Sequence, residues 1–491
     1  MSDDTEYKDV VIIGAGLSGI GAACYLKRNC PSKTFSIIEA RSSIGGTWDL
    51  FKYPGVRSDS DMYTLGYKFK PWEGAKAIAD GPSILNYIVE TANENNILDK
   101  INFNKTLVEA SWNSNNQNWQ LTIQDSITEK QKRIDCNFLY MCAGYYSYSN
   151  PHSPEFPDIG KFEGEVIHPQ LWPKDVIYEN KNIIVIGSGA TAVTLVPELA
   201  TKAKKVTMLQ RSPTYMISRP SEDWFANLMK SLFPKKLAYS ITRARNILFQ
   251  EYIYKKSRRH PNKVKKKLVD GVIKELGNEV DIEKHFTPSY APWDQRLCLI
   301  PDSNFFNVVK NKTANVVTDK IKSFDAKGIQ LESKNRLDAD IIITATGLNL
   351  QLMGGARVKV DNEDVDFSKL WTYKGVMVSS VPNFVSIFGY INASWTLRAD
   401  LISEWVCNLL NHMDDTESTS VVPKTTDDHL MSARSWIGDF SSGYMERAMK
   451  DFPKQSDTQP WINSQDYRRE KKLFNQPFHN DQDLVFSKRI I

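Results

Sequence analysis

Apolar positions along this chain fall into two rhythms. Short, largely apolar runs, Val10 to Ile13, Thr34 to Ile38, Lys181 to Ile186 and Val206 to Leu209, suit strands buried on both faces of a parallel sheet. Between them lie segments with apolar residues at helical spacing, such as Leu17 to Lys27 and Ala190 to Ala200. Strand and helix signals that alternate in this way predict an α/β architecture with parallel sheets. The rhythm breaks between Ser221 and Lys284, where long helix-compatible stretches rich in Lys, Arg, Leu and Tyr replace the strand signals. This shift predicts a helical insertion.

The first run leads directly into Gly14-Ala-Gly16-Leu-Ser18-Gly19, which opens a helix. Glycines at those places allow a tight turn and the close approach of a pyrophosphate, whose charge meets the amide-rich helix N-terminus. The second run ends at Glu39, 20 residues after Gly19. A carboxylate there suits two ribose hydroxyls and repels a 2′-phosphate. Strand, turn, helix, second strand and acid together predict a dinucleotide site that fits FAD. Gly187-Ser188-Gly189-Ala190-Thr191-Ala192 repeats the turn after the third run, and the strand that follows ends in Gln210-Arg211-Ser212. A guanidinium beside a hydroxyl suits the 2′-phosphate of NADPH. The expected fold is therefore two dinucleotide-binding, Rossmann-like domains with parallel sheets plus the helical insertion.

The chain has 491 residues, 41% of them hydrophobic, which is enough for about three domain-sized units. Its six cysteines (Cys24, Cys30, Cys136, Cys142, Cys298, Cys407) show no metal-type pairing and are too sparse for a disulfide framework. No metal site is expected, and the natural compartment is the reducing cytoplasm. The acidic start MSDDTEYK lacks the basic and apolar regions of a secretory signal. Two uncharged stretches approach the length of a membrane span, Val10 to Leu26 and Gly375 to Leu397, but glycines break the first, and Pro382, Asn383 and Asn392 the second. From Arg243 to Lys267, ten Lys or Arg face one acid, Glu251, so a segment of net +9 sits in a chain of net +4. The ordinary origin of such a run is the solvated face of helices. Peripheral contact with a membrane surface is its functional alternative, and nucleic acid is not the expected partner.

Phe162-Glu-Gly164-Glu-Val-Ile-His168-Pro-Gln-Leu-Trp172-Pro173 fills the pattern F-x-G-x-x-x-H-x-x-x-W-P at every fixed position, just ahead of the second glycine turn. This resembles the fingerprint of the Baeyer–Villiger monooxygenases, class B flavoprotein monooxygenases. Gly45-Gly46-Thr47-Trp48, then Tyr53-Pro54-Gly55 and Asp59, match a second segment of that family. Trp293-Asp294-Gln295-Arg296 is similar to the segment that carries the family's active-site arginine, and Asp340 to Gly347 to its link back to the FAD domain. Longer runs such as IGSGATAVTLVPEL and NASWTLRADL look most like the branch that includes the ethionamide-activating monooxygenase of mycobacteria. One position departs: where ketone monooxygenases carry a lysine before the arginine, this chain has Gln295, which leaves more of the phosphate to Arg211 and Ser212.

The resemblance implies an FAD site at Gly14, Gly16, Ser18, Gly19, Glu39, Gly46, Thr47, Trp48 and Asp59, and an NADPH site at Gly187, Ser188, Gly189, Ala190, Thr191, Arg211 and Ser212. It implies a domain-coupling role for Phe162, Gly164, His168 and Trp172, and an approach of Asn392, Trp395 and Thr396 to the flavin. The chemistry implied is reduction of FAD by NADPH, then insertion of one atom of molecular oxygen into a ketone through a C4a-peroxyflavin, with sulfides and thioamides as further substrates. Arg296 is the expected stabiliser of the anionic oxygens and Asp59 its partner.

The expected division is an FAD domain from 1–150 and 344–491, an NADPH domain from 151–218 and 286–343, and the insertion at 219–285. Three rivals stand beside this reading. One is a flavin monooxygenase confined to sulfur and nitrogen, and another is a redox-dependent membrane or nucleic-acid binder. The third is a disulfide reductase using Cys136 and Cys142, whose apolar setting, Phe138 to Cys142, reads instead as a buried strand.

Overall fold

The computed structural model describes residues 6–277, 279–425, 432–438 and 442–489. The strand Glu6–Ile13 lies between Phe35–Ile38 and Gln131–Met141 and runs parallel to both. Its apolar run Val10-Val11-Ile12 is fully buried, because helices cover one face of the sheet and a β-meander closes the other side. Each such side chain contributes about 1.5–3 kcal/mol through burial. Helix Leu17–Asn29 follows the first glycine turn and packs on helix Trp395–Asp415. The nine-stranded sheet is completed by the edge strand Ile101–Asn102, by the antiparallel strands Lys105–Asn113 and Asn118–Asp125, and by late strands of the chain: Arg357–Val360, Glu363–Asp364 and Phe384–Ser386. Both ends of the chain thus build one layer.

A second sheet has five strands in the order Ala314–Thr318, Lys205–Gln210, Asn182–Ile186, Ile341–Thr344, Glu165–Ile167. All its pairings are parallel, as crossover connections through helices require. Strands Met216–Arg219 and Cys298–Pro301 pair in parallel beside it. Between them run the helices Trp224–Leu232, Lys235–Arg259, Pro261–Leu276 and Ile282–Phe286, where the composition shift predicted an insertion. Among the described residues no helix is long and apolar enough to cross a membrane.

The insertion corrects one expectation. Arg243, read from sequence as part of a solvated basic run, is 7% exposed. Its Nη1 donates to the carbonyls of Tyr63 and Gly66 at 2.9 and 2.6 Å, and its Nη2 to Asp400 Oδ2 at 2.9 Å. Those partners belong to the other layer, so Arg243 pins the insertion to elements far away in sequence. Asn246 and Gln250 extend the clasp by donating to Asp61. Removing one partner of a buried pair leaves the other charge uncompensated, at about 3–5 kcal/mol. Arg243→Met should lower unfolding free energy by about that amount in denaturant titration. The double variant Arg243→Met, Asp400→Leu should recover part of the loss.

Candidate active site

Two glycine loops meet back to back to form the cradle. Gly14 has φ +103°, and a Cβ on it would lie 2.6 Å from the Cys142 carbonyl oxygen. A Cβ on Gly19 would lie 1.8 Å from the Gly14 carbonyl oxygen, so the turn closes on its own helix only without side chains. Gly45 bridges to Gly16, its N–H donating to Ala15 O at 3.0 Å. Thr47 and Trp48 open the short helix Thr47–Leu50 at this junction, and Thr47 Oγ1 accepts the Tyr146 hydroxyl at 2.6 Å. Ser18 is buried, and its Oγ accepts the Trp395 indole N–H at 2.8 Å.

These loops line a cavity of about 600 Å³ that extends from Glu39 at one end to Asp59, Arg296 and Trp395 at the other. That size is typical of a small-molecule site. Glu39 is buried, and its carboxylate accepts the backbone N–H of Ala15 at 2.7 Å and of Arg41 at 2.9 Å. Burial nevertheless pushes its pKa upward, against the pull of those two donors. A carboxyl that remains in so dry a place is suited to further donors, such as ribose hydroxyls.

At the far end Arg296 Nη1 lies 3.1 Å from Asp59 Oδ2, their side chains 40% and 32% exposed. Both residues line the cavity, so that exposure faces the site. The Asp59 carboxylate holds the guanidinium above its ordinary pKa, and the arginine stays charged throughout the working pH range. A second guanidinium, Arg57, also lines the cavity and donates to Leu299 O at 2.6 Å. Arg57 occupies a variable position between Gly55 and Asp59, so the sequence motif did not mark it. Aromatic rings complete the wall: Tyr145 stacks on Trp395 with centroids 5.3 Å apart, and burial pushes the Tyr148 hydroxyl up to about 12.

The structure brings Trp395 to this wall but directs Asn392 elsewhere, its Nδ2 donating to Gln465 O at 3.0 Å. Thr396 is buried in the first turn of helix Trp395–Asp415 and donates to Leu65 O at 2.5 Å.

The second turn is built like the first but opens outward. Gly187 has φ +132°, and a Cβ there would lie 2.4 Å from Ala345 O, whereas one on Gly189 would meet nothing within 4 Å. Ser188 Oγ donates to Ser212 O at 3.2 Å, and Arg211 and Ser212 stand exposed at the end of their strand. Thr191 lies in the first turn of helix Ala190–Leu199, and Ala190 and Thr194 of that helix line the same cavity as Arg296. The helix that follows the second turn therefore reaches the cavity that the first turn lines.

The fingerprint residues lie outside this cavity. Phe162 is buried, Gly164 precedes the edge strand Glu165–Ile167, and Trp172 packs against the core of the second sheet. His168 Nδ1 accepts the Gln170 N–H at 3.2 Å, and burial lowers its pKa, with the backbone of His152 and Gly347 beside it. Gln170 supplies the tie between layers, since its Nε2 donates to the carbonyls of Ser147 and Tyr148 at 2.7 and 2.9 Å. It occupies a variable position of the pattern, so nothing in the motif marked it. Cys136 and Cys142 are free and buried, and burial pushes both thiols upward, which suits packing rather than redox exchange.

Two Rossmann-like sheets, with one glycine turn lining an aromatic-walled cavity and the helix after the other turn reaching it, define the architecture of a two-nucleotide flavoenzyme. The family of flavin-binding monooxygenase-like proteins matches residues 76–271, and an NAD(P)-binding Rossmann-like domain matches residues 12–70. The FAD-containing monooxygenase EthA of Mycobacterium tuberculosis is 47% identical over 99% of both chains, and EthA of Mycolicibacterium smegmatis 48% identical over 99% of this chain and 98% of its own. A solved structure of an oxidised steroid monooxygenase bound to NADP superposes with a TM-score of 0.80 at 19% identity, covering 98% of this chain and 100% of that one. The chain belongs to the class B flavin monooxygenases, in the branch that holds these EthA proteins.

Proposed function

We propose that this enzyme binds FAD and NADPH and uses them to insert one atom of molecular oxygen into ketones, giving esters or lactones, and also oxidises sulfides and thioamides. The observation that carries the reading is the Asp59–Arg296 pair, 3.1 Å apart, in the wall of the cavity that the first glycine turn also lines. FAD in this cavity supplies the redox and oxygen-activating chemistry. Glu39 would hold its ribose, the amides around Gly14, Gly16 and Gly46 its pyrophosphate, and Trp48 and Tyr145 its flanks. NADPH would lie on Gly187 to Thr191 with its 2′-phosphate against Arg211 and Ser212.

Attack on a carbonyl carbon builds negative charge on the carbonyl oxygen. Arg296 offers that oxygen a fixed charged donor, and Asp59 sets the direction in which the guanidinium points. Phe162, Gly164, His168 and Trp172, joined by Gln170, couple the two nucleotide domains rather than touching substrate. We assign the FAD domain to 1–150 and 344–491, the NADPH domain to 151–218 and 286–343, and the insertion to 219–285, an assignment that the two separate sheets support. The test is competition between a methyl ketone and a methyl aryl thioether for the FAD-loaded enzyme with NADPH and oxygen. Ester should accumulate alongside sulfoxide. Sulfoxide without ester would assign the enzyme to heteroatom oxidation instead.

A further inference from the structure

Helix Trp224–Leu232 buries Ala226 and Met229 and turns Trp224, Leu228 and Leu232 outward, 74%, 44% and 61% exposed. Their spacing of four places them in one row. Beyond Phe233 and Pro234 the next helix exposes Leu237 and Leu248. The ion pair from Asp223 to Arg245, 2.8 Å, holds the two helices side by side and antiparallel. More than half of the exposed large apolar side chains among the described residues fall between 224 and 273. Such a concentration marks an interaction surface.

The same segment is strongly cationic. From Glu222 to Asp270 there are thirteen Lys or Arg against four acids, in a chain of net charge +4. Three of those acids are already paired, Asp223 with Arg245, Glu251 with Lys255 and Arg468, and Asp270 with Lys266. Lys236, Lys256, Arg259 and Lys263 are exposed.

We infer that this two-helix face docks on the surface of an anionic phospholipid bilayer. A nucleic acid would use the cations but leave Trp224, Leu228 and Leu232 in water. A second copy of the chain would bring an equally positive face into contact, and like charge across an interface is repulsive. An anionic bilayer satisfies both features. The apolar row enters the boundary between headgroups and acyl chains, Trp224 takes the interfacial position favoured by indoles, and the lysines meet acidic headgroups. The inference goes beyond the proposed reaction and does not depend on it.

The test is flotation of the FAD-loaded protein with vesicles of phosphatidylglycerol and phosphatidylcholine in equal parts, and of phosphatidylcholine alone. Wild type should float with the mixed vesicles far more than with the neutral ones, and less as salt rises. Two variants, Trp224→Ser/Leu228→Ser/Leu232→Ser and Lys236→Glu/Arg259→Glu, should each bind at least about tenfold more weakly. Both should consume NADPH and unfold on heating as wild type does. Failure of wild type to float, or variants that float like wild type, would overturn the inference. So would a dimer in analytical ultracentrifugation that the triple variant abolishes, since the face would then belong to a second copy. NADPH consumption, read separately, keeps this outcome apart from failure of the proposed reaction.

Discussion

Arg296→Ala should retain FAD and consume NADPH slowly, while its oxygenated product falls by about 100-fold or more. The expectation follows from where Arg296 sits. The Glu39 end of the cavity and the glycine cradle contain no atom of Arg296, so cofactor retention should survive the change. What disappears is the charged donor at the Asp59 end, 3.1 Å from that carboxylate, and with it the stabilisation of negative charge developing during attack. The variant also leaves Asp59 facing the cavity unpaired by Arg296, which adds repulsion for an anionic oxygen. Arg296→Lys should recover only part of the loss, since a point charge cannot reproduce the planar fork. Product yield per NADPH consumed, with FAD content measured from absorbance, checks all three statements. Normal product yield in the alanine variant would remove Arg296 from the chemistry.

Arg211→Asp should weaken NADPH about 100-fold while changing NADH little, since a charge-assisted contact to the 2′-phosphate is replaced by a repulsive one. Arg211 and Ser212 stand exposed beside the open turn at Gly189, and Gln295, next to Arg296 in the chain, carries no charge. The whole preference should therefore rest on few groups. Steady-state kcat/KM for the two coenzymes measures it. An equal loss for both would show that Arg211 supports the turn rather than reading the phosphate.

The sequence made some of this legible because local rules govern it. A tight turn before a helix N-terminus needs its glycines next to one another in the chain, so Gly14, Gly16 and Gly19 announced their turn, and Gly187 and Gly189 theirs. Glu39 could be located for the same reason, one strand further on. Residues that meet only through folding left no such trace. Arg243 was one cation in a basic run until the fold placed Tyr63, Gly66 and Asp400 around it. Arg57 entered the cavity wall from a variable position of the Tyr53–Asp59 segment, and Tyr145 from a loop of no fixed pattern. Gln170 ties the fingerprint to the Ser147 and Tyr148 carbonyls from a position the motif leaves free. The basic segment was half legible: its charge was counted correctly, but the row formed by Trp224, Leu228 and Leu232 shows only once the opposite side of that helix is seen to be buried.

The most direct test of the proposed reaction is mass spectrometry of the products formed by the FAD-loaded protein from a methyl ketone, NADPH and isotopically labelled oxygen gas. An ester that carries one labelled oxygen atom, formed in proportion to NADPH consumed, is the predicted result. Hydrogen peroxide alone, or an ester without label, would contradict oxygen insertion at the Asp59–Arg296 end of the cavity.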